Sequence, residues 1–253
     1  MQEKERPLPA VILAGGLGVR LRSAYAAGPK SMAPIGKRPF IDYLLSWLQT
    51  QGVGDVILCV GYKRSHIQRF VGRGSKWGMR VRYSVEKKLL GTGGAVKQGA
   101  RLISGETVLV VNGDTFVDVS LRALMKFHRS RKAFATLAAV RVVDKSRYGS
   151  LCLDRNNRVT AFLEKSGRDK DTGSENEKRY INAGIYIFDR KLLSKIPNRA
   201  PVSLEKEVLP SLLTKKRAYG FTSDAYFLDI GVPEDLGRAQ HELPERIPIS
   251  NPR

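Results

Sequence analysis

Short apolar runs that alternate with amphipathic segments constrain the fold of this chain more than any other feature. In the first half, runs of strand length occur at 10–13, 55–60, 80–85 and 107–111, and segments with helical spacing occur at 39–51, 65–71, 93–102 and 121–130. Such alternation is typical of β-α-β units, in which a helix carries the chain from one parallel strand to the next. The sequence therefore predicts an α/β fold with at least three β-α-β units.

After about residue 132 the pattern becomes richer in strands. Further strands are predicted by the apolar runs at 133–142, 150–153, 159–163 and 180–188. Asn156 and Asn157 predict a tight turn, the polar segment 166–179 predicts a loop, and 204–213 predicts a helix.

At 253 residues the chain has the length of one ordinary α/β domain. The stretch 243–253 contains three prolines in eleven residues and predicts a poorly ordered tail. We therefore expect a polar N-terminal segment at 1–9, a single domain at 10–242 with halves at 10–131 and 132–242, and a tail at 243–253.

The composition argues against several classes of protein. No stretch approaches the roughly 18 uninterrupted apolar residues of a membrane-spanning helix, and the polar N-terminus lacks the apolar segment of a signal peptide. Cys59 and Cys152 each lie in an apolar run, which indicates neither a disulfide framework nor a metal site. We therefore expect a cytoplasmic protein without membrane insertion.

The chain is strongly basic, with 44 basic and 24 acidic residues and a formal charge of +20. Such a charge attracts anions, including nucleic acids. The basic residues are spread in twos and threes, as at 87–88 and 215–217, and no nucleic-acid-binding motif accompanies them. We interpret the charge as a solvated basic surface that suits anionic substrates, and expect no nucleic-acid partner.

A glycine-rich turn, LAGGLG at 13–18, follows the first predicted strand. Ligands of open α/β sheets bind at the carboxyl ends of strands, and successive N–H groups of such a turn can bind phosphate. The spacing excludes a P-loop, because no GxxxxGK[ST] is present, and Leu21 stands where a dinucleotide fingerprint needs its third glycine. By itself the turn indicates either an anion nest or a tight strand-to-helix connection.

Charged residues and a second glycine cluster accompany this turn. Arg20 and Lys30 could neutralise phosphates, and LGTGGA at 90–95 precedes a predicted helix whose N-terminus favours an anion. Asp114 follows the fourth predicted strand and Asp229 lies far along the chain. Carboxylates at such places either bind magnesium beside a phosphate or are simply solvated.

Taken in order, these motifs resemble those of the sugar-phosphate nucleotidyltransferase family. The similarity runs from about Ala10 to Leu236 and rests on LAGGLGVRL at 13–21, PKSM at 29–32, VExxxLGTGGA at 85–95, NGD at 112–114, FLEK at 162–165, INAGIY at 181–186 and FLDIGVPED at 227–235. Within the family, the chain is most similar to guanylyltransferases that act on D-glycero-D-manno-heptose 1-phosphate, and next to those that act on mannose 1-phosphate.

The resemblance implies both a fold and a reaction. The fold would be a Rossmann-like, three-layer (GT-A-like) domain with a mixed, mainly parallel central sheet. The reaction would join a nucleoside triphosphate, GTP in the subgroup named above, to a sugar 1-phosphate, giving a nucleotide sugar and pyrophosphate with the help of Mg²⁺.

The resemblance also implies roles for individual residues. Nucleotide binding would fall to Leu13, Ala14, Gly15, Gly16, Glu86, Gly91 and Thr92. The catalytic residues would be Arg20, Lys30, Asp114 and Lys165, and the sugar phosphate would contact Gly113, Glu164, Lys165 and Asn182. Asp114 and Asp229 would bind the metal.

Three positions depart from the family pattern: Val19 and Val232 replace a usual threonine, and Ser31 replaces a common proline. None of them removes a charged participant, so we expect an active enzyme. Uridylyl or thymidylyl transfer to another hexose 1-phosphate stays open, as does a non-catalytic subunit that senses nucleotide sugars. The sequence also leaves open whether the chain forms a homo-oligomer.

Overall fold

The chain alternates strands and helices along most of its length. The computed structural model describes residues 8–16, 21, 25–142, 148–163, 178–212 and 217–247. Within these ranges the strands are β1 (Ala10–Leu13), β2 (Pro34–Ile35), β3 (Arg38–Pro39), β4 (Asp55–Val60), β5 (Arg80–Val85), β6 (Thr107–Asn112), β7 (Thr115–Val117), β8 (Ala135–Val140), β9 (Ser150–Leu153), β10 (Val159–Leu163), β11 (Lys178–Asp189), β12 (Ala218–Ser223) and β13 (Phe227–Asp229). The α-helices are α1 (Phe40–Thr50), α2 (Arg64–Val71), α3 (Gly91–Ala100), α4 (Leu121–Ser130), α5 (Arg190–Leu193), α6 (Leu209–Ser211) and α7 (Pro233–Arg246).

A nine-stranded sheet lies at the centre of the molecule. β1 pairs in parallel with β4 and β6, and β4 pairs in parallel with β5. β11 is antiparallel to β6, β8 and β9, while β12 is parallel to β8 and β10 antiparallel to β9. Among the described strands of this sheet, only β10 and β11 run against the common direction. The predicted mixed, mainly parallel sheet is therefore confirmed.

Helices cover both faces of this sheet. Successive residues of a strand point to opposite faces, and Ile12 of β1 belongs to an apolar cluster with α1, α4 and α7. Its neighbour Val11 belongs to a second cluster with α3 and α5. The three-layer, Rossmann-like arrangement is thereby confirmed.

The parallel register brings three turns to one edge of the sheet. Leu13 at the end of β1 is paired with Cys59 of β4 and with Asn112 of β6. Beyond the strands, the Ala14 N–H donates to the Cys59 carbonyl oxygen at 2.9 Å, and the Gly113 N–H donates to the Leu13 carbonyl oxygen at 2.9 Å. The glycine-rich turn and the NGD motif are therefore in direct contact.

A small two-stranded sheet brings a distant segment to the same edge. β13 pairs antiparallel with β7, with Asp229 opposite Thr115. Just beyond, the Ile230 N–H donates to the Asp114 carbonyl oxygen at 3.1 Å. This pairing makes neighbours of Asp114 and Asp229, although they lie in different halves of the sequence.

Several predicted boundaries are confirmed, and one predicted helix has an irregular form. The strands at 10–13, 55–60, 80–85, 150–153 and 159–163 and the helix at 121–130 have the predicted bounds. The helix predicted at 204–213 is present from Leu204 to Ser211, as a π-helix, Leu204–Val208, followed by the single turn α6. Pro210 lacks the N–H that a regular helix would need at that point, so the α-helical hydrogen bonding is interrupted.

The predicted tail is wrong for its first residues. α7 continues through Arg246 with Pro244 inside it, and Leu243 and Ile247 are buried. Leu236, Ala239 and Leu243 recur at helical spacing, and this apolar stripe decides the structure in spite of the prolines. Residues 1–7, 248–253 and most of the predicted loop 166–179 lie outside the described residues, although 178–179 belong to β11.

Other features of the described residues bear on where the protein can work. In the ranges given above, none of the helices has the length and apolar character that a bilayer crossing demands. Cys59 and Cys152 are both buried, and neither forms a disulfide.

Leu243→Ala tests whether the end of α7 belongs to the core. The side chain is fully buried, so its truncation should lower the free energy of unfolding by about 2–5 kcal/mol. Urea denaturation measures this change. Glu245→Ala, at an exposed position of the same helix, is the matched control and should change the free energy by less than about 0.5 kcal/mol. Equally small effects at both positions would contradict the packed helix end.

Candidate active site

A cavity of about 330 Å³ opens at the carboxyl edge of the sheet. Its lining includes ten of the residues that the sequence predicted for the site, namely Leu13, Ala14, Gly15, Gly16, Lys30, Glu86, Gly91, Thr92, Gly113 and Asp114. It also includes residues to which the sequence analysis gave no role in the site, namely Leu21, Ser31, Leu89, Ala95, Asn112 and Gly231. The motifs are thus brought together in space as the resemblance implies.

Two glycines allow the first turn to pack closely against its neighbours. A Cβ atom on Gly15 would lie 2.5 Å from a carboxylate oxygen of Glu86, and one on Gly113 would lie 2.6 Å from the Leu13 carbonyl oxygen. Both distances are far shorter than van der Waals contact. By contrast, a Cβ atom on Gly16 would meet no heavy atom of the described residues within 4 Å. Gly113 is therefore required by the packing of the backbone, whereas a side chain at 15 would have to displace the Glu86 carboxylate and Gly16 leaves open space for a ligand.

Lys30 joins the two predicted metal ligands. Its Nζ atom lies 2.7 Å from Asp114 Oδ2 and 3.3 Å from Asp229 Oδ1. The side chains of Lys30, Asp114 and Asp229 are 12%, 36% and 16% exposed, so the cluster is only partly screened by solvent. The three elements that carry these residues are the turn Lys30–Met32, the end of β6 and β13.

The electrostatic environment of Asp229 reflects this crowding. Burial raises the pKa of the Asp229 carboxyl group above its ordinary value, and the nearby Asp114 charge raises it further. Lys30 and the Gly231 N–H, which donates to Asp229 Oδ1 at 2.7 Å, oppose that rise in pKa. The two carboxylates repel each other and depend on positive charge or N–H donors to remain ionised side by side.

Glu86 occupies another part of the cavity. Its N–H donates to the Val60 carbonyl oxygen at 2.9 Å, and its carboxylate accepts from the Leu90 N–H at 3.3 Å. Burial raises the pKa of this carboxyl group. A half-buried acceptor in a cavity lined by apolar residues suits a ligand that offers N–H donors.

The start of α3 is fixed by the second half of the chain. Gly91 has φ +73°, and a Cβ atom there would lie 2.4 Å from the Val202 carbonyl oxygen. The Thr92 hydroxyl donates to Glu205 Oε2 at 2.7 Å and accepts from the Leu204 N–H at 2.8 Å. Thr92 therefore lines the cavity, but its hydroxyl group serves the contact with 202–205.

Asn182 is not part of the cavity lining in the described residues. It lies on β11, where its Nδ2 donates to the Tyr186 hydroxyl at 2.9 Å and its Oδ1 accepts from the Gly184 N–H at 3.3 Å. Its role toward a sugar stays a prediction. Arg20, Glu164 and Lys165 lie outside the described residues, so their predicted roles are likewise untested.

Some of the residues that the sequence analysis missed carry useful signals. Asn112 belongs to the NGD motif, and its Oδ1 is buried without a hydrogen-bond partner among the described residues, as is Ser31 Oγ. Leu89 is 58% exposed although it lines the cavity. Only the three-dimensional structure distinguishes Leu89 from an ordinary surface leucine.

The donor set fits a magnesium ion. Within the part of the chain that the structure describes, no group of three or more His, Cys, Asp or Glu side chains could hold a metal. Mg²⁺ commonly binds through one or two carboxylates and takes its other ligands from water and substrate phosphates. Asp114 and Asp229, which converge on one atom of Lys30, provide such a pair.

Comparisons with known proteins agree with this geometry. A family model described as "Nucleotidyl transferase" matches residues 9–246. The chain is 41% identical over 236 residues to a D-glycero-alpha-D-manno-heptose 1-phosphate guanylyltransferase of Aneurinibacillus thermoaerophilus, with 93% of this chain and 98% of that protein covered. It is 39% identical to a mannose-1-phosphate guanylyltransferase of Mycobacterium tuberculosis, with 92% of this chain and 64% of that protein covered.

A solved structure is similar over nearly its whole length. The crystal structure of HddC from Yersinia pseudotuberculosis complexed with GMP-PN superimposes with a TM-score of 0.80 at 32% identity, and the match covers 93% of this chain and 99% of that one. The similarity therefore extends over both halves of the chain and not merely over the glycine-rich turn.

Gly113→Ala and Gly16→Ala together test the close packing of the glycine-rich turn. The added methyl group at 113 meets a backbone oxygen that cannot move independently, so we expect the free energy of unfolding to fall by about 1–3 kcal/mol. Gly16→Ala should leave it within about 0.5 kcal/mol. Urea denaturation without ligand measures both, and equal losses would contradict the contact between the two turns.

Proposed function

Because the chain belongs to the nucleotidyl transferase family, we propose that it transfers GMP from GTP to a sugar 1-phosphate, preferably D-glycero-α-D-manno-heptose 1-phosphate, giving GDP-heptose and pyrophosphate. The observation that carries this proposal is the convergence of Lys30, Asp114 and Asp229 beside the glycine-rich turn. The names of the relatives at 41% and 39% identity support guanylyl transfer to a manno-configured sugar.

The reaction is an in-line displacement at the α-phosphorus of GTP. An oxygen of the sugar phosphate forms a new bond to that phosphorus, the bond to the bridging oxygen breaks, and pyrophosphate leaves with its electron pair. A phosphate monoester has its second pKa at about 6, so the nucleophile is already ionised at neutral pH. No general base is needed, and catalysis consists of positioning two anions and offsetting their repulsion.

The residues of the cavity match these requirements. The open backbone at Gly16 lets a triphosphate approach the N–H groups of the turn, and Lys30 offers a cation at the cavity wall. Mg²⁺ held by Asp114 and Asp229 would supply further positive charge to the phosphate oxygens. We expect Arg20 and Lys165 to contact phosphates, and Glu164, Asn182 and Gly113 to contact the sugar.

Glu86 provides part of the base selectivity. Guanine presents an N1–H and an N2 amine along one edge, and one carboxylate can accept from both. Adenine offers no such pair, so the Glu86 acceptor favours guanine over adenine. Uracil and thymine each have one ring N–H, so the choice of guanine over pyrimidines is supported mainly by the relatives.

The expected setting is the cytoplasm, which the burial of both cysteines outside any disulfide supports. The substrates are a nucleoside triphosphate and a sugar 1-phosphate. Neither a nucleic-acid partner nor membrane insertion is part of the proposal, and a homo-oligomer stays open.

A pyrophosphate-release assay tests the function. The four ribonucleoside triphosphates and thymidine triphosphate are each combined with heptose, mannose, glucose and N-acetylhexosamine 1-phosphates. The expected result is the highest kcat/KM for GTP with the heptose or, next, mannose substrate. Preference for uridine or thymidine triphosphate would overturn the substrate assignment, and binding of nucleotide sugars without any turnover would favour the sensing subunit.

Asp114→Asn tests the placement of the metal. The substitution keeps the size of the side chain but removes its charge, so kcat should fall by roughly 100-fold or more, the scale of one lost electrostatic contact in the transition state. Asp118→Asn, at an exposed position four residues further along, is the control and should stay near wild type. Normal magnesium-dependent activity in Asp114→Asn would show that this carboxylate does not hold the metal.

Leu89→Ala tests whether the exposed leucine at the cavity covers the base. Apolar area that a ligand buries contributes to binding, so the KM for GTP should rise about five- to tenfold with little change in kcat. Leu102→Ala is the matched control, because Leu102 is the other large apolar side chain exposed in the described residues, at 40%, and lies outside the cavity lining. Equal KM values for the two variants would exclude contact between Leu89 and the nucleotide.

A further inference from the structure

Lys30 occupies an unusual position for a phosphate-binding lysine. Its ammonium group does not extend freely into the cavity but contacts Asp114 at 2.7 Å and Asp229 at 3.3 Å. These are the two carboxylates to which the proposed function assigns the metal. The positive charge of the lysine and that of a divalent cation therefore have the same partners.

The carboxylates need a cation whether or not substrate is bound. Asp229 is 16% exposed, and Lys30 Nζ lies within 3.3 Å of both carboxylates. Without a positive charge between them, the two groups would repel each other in a partly desolvated place. Lys30 supplies that charge in the ligand-free protein.

Lys30 cannot keep both contacts when a divalent cation binds. The ion would take the carboxylate oxygens as its own ligands. The positively charged ammonium group of Lys30, held at the same oxygens, would then repel the positively charged ion. The lysine must then leave, and it needs another anion to receive it. A nucleoside triphosphate at the neighbouring turn provides that anion.

The local backbone holds the lysine firmly but leaves its side chain room. The turn at Lys30–Met32 is closed by the Met32 N–H donating to the Pro29 carbonyl oxygen at 2.8 Å. A Cβ atom on Gly231 would lie 2.8 Å from Lys30 Nζ, so glycine at that position keeps the place of the ammonium group clear. The four-carbon side chain of lysine can swing between two anions without any movement of the turn.

We propose that Lys30 is an exchangeable cation that holds Asp114 and Asp229 together in the free protein and yields them to a divalent cation when nucleotide phosphates bind its ammonium group. This inference rests on the proposed function, because it assumes that the two carboxylates are the metal ligands. Metal and nucleotide then strengthen each other's binding, since each removes an obstacle to the other.

Direct measurement of Mn²⁺ binding in the absence of nucleotide tests the proposal. The free Mn²⁺ signal in electron paramagnetic resonance gives the affinity, with Mn²⁺ as the probe for the magnesium site. The nucleotide-free wild-type protein should bind Mn²⁺ weakly. Lys30→Met, which keeps the length of the side chain and removes its charge, should bind it at least about tenfold more tightly.

Three control variants test where the Mn²⁺ ion binds and whether the lost charge of Lys30 causes the tighter binding. Lys126→Met removes the same charge from an exposed position on α4, which contributes nothing to the cavity lining, and should leave the affinity unchanged. The double variant Lys30→Met with Asp114→Asn should lack the increased Mn²⁺ affinity of Lys30→Met, because Asp114 is proposed to hold the ion. Lys30→Arg retains the positive charge and should keep the weak binding of the wild type.

Several results would overturn the proposal. Unchanged Mn²⁺ affinity in Lys30→Met, or an equal gain in Lys126→Met, would reject exchange at this lysine. If Lys30→Met does not fold by circular dichroism, Lys30→Gln replaces it with the same expectation. Micromolar Mn²⁺ binding by the nucleotide-free wild type that Asp114→Asn abolishes would also reject the proposal, independently of any Lys30 variant.

The same measurements separate this proposal from the proposed function. An enzyme that is active with GTP but shows unchanged Mn²⁺ affinity in Lys30→Met would refute only the exchange. A protein without turnover that shows the gain in Mn²⁺ affinity would refute only the catalytic assignment.

Discussion

The parallel pairing of β1 with both β4 and β6 is the constraint on which the site depends. It sets Leu13, Cys59 and Asn112 side by side, so the chain leaves three neighbouring strands at one edge. The turns that follow must pack against one another there, and only glycine at 113 permits the observed approach to the Leu13 carbonyl oxygen. The cavity therefore depends on the strand register and on the small size of glycine as much as on the charged groups that line it.

The charged groups reach that edge from three separate places. Lys30 comes from a turn after β1, Asp114 follows β6 directly, and Asp229 is brought by the pairing of β13 with β7. Each position is fixed by backbone hydrogen bonds, whereas the ion pairs are made by side chains that can exchange partners. The site thus combines a rigid frame with charges that are free to rearrange when anionic substrates arrive.

Much of this could be predicted from the sequence, for reasons that differ between elements. β4 has the expected bounds because its apolar run lies between Gly54 and Gly61. β12 and β13 were not predicted, since their short and partly polar sequences become strands only through pairing with β8 and β7. The end of α7 carries conflicting signals in the sequence. Its prolines indicate an irregular tail, whereas the helical spacing of Leu236, Ala239 and Leu243 keeps it in the core. Local composition could not reveal that Thr92 turns its hydroxyl toward Glu205, because that contact joins distant parts of the chain.

The place of β6 in the sheet has a consequence for how the chain becomes folded. One neighbour of β6 is β1, but the other is β11, which is encoded far later in the sequence. Val108, Leu109, Val110 and Val111 are all buried, so until β11 has been synthesised this strand presents an apolar edge with unpaired backbone groups. Such edges readily join to other chains. A chain that has emerged only as far as β10 therefore still lacks the strand that pairs with this edge of β6, and the central sheet is complete only when both halves of the sequence are present.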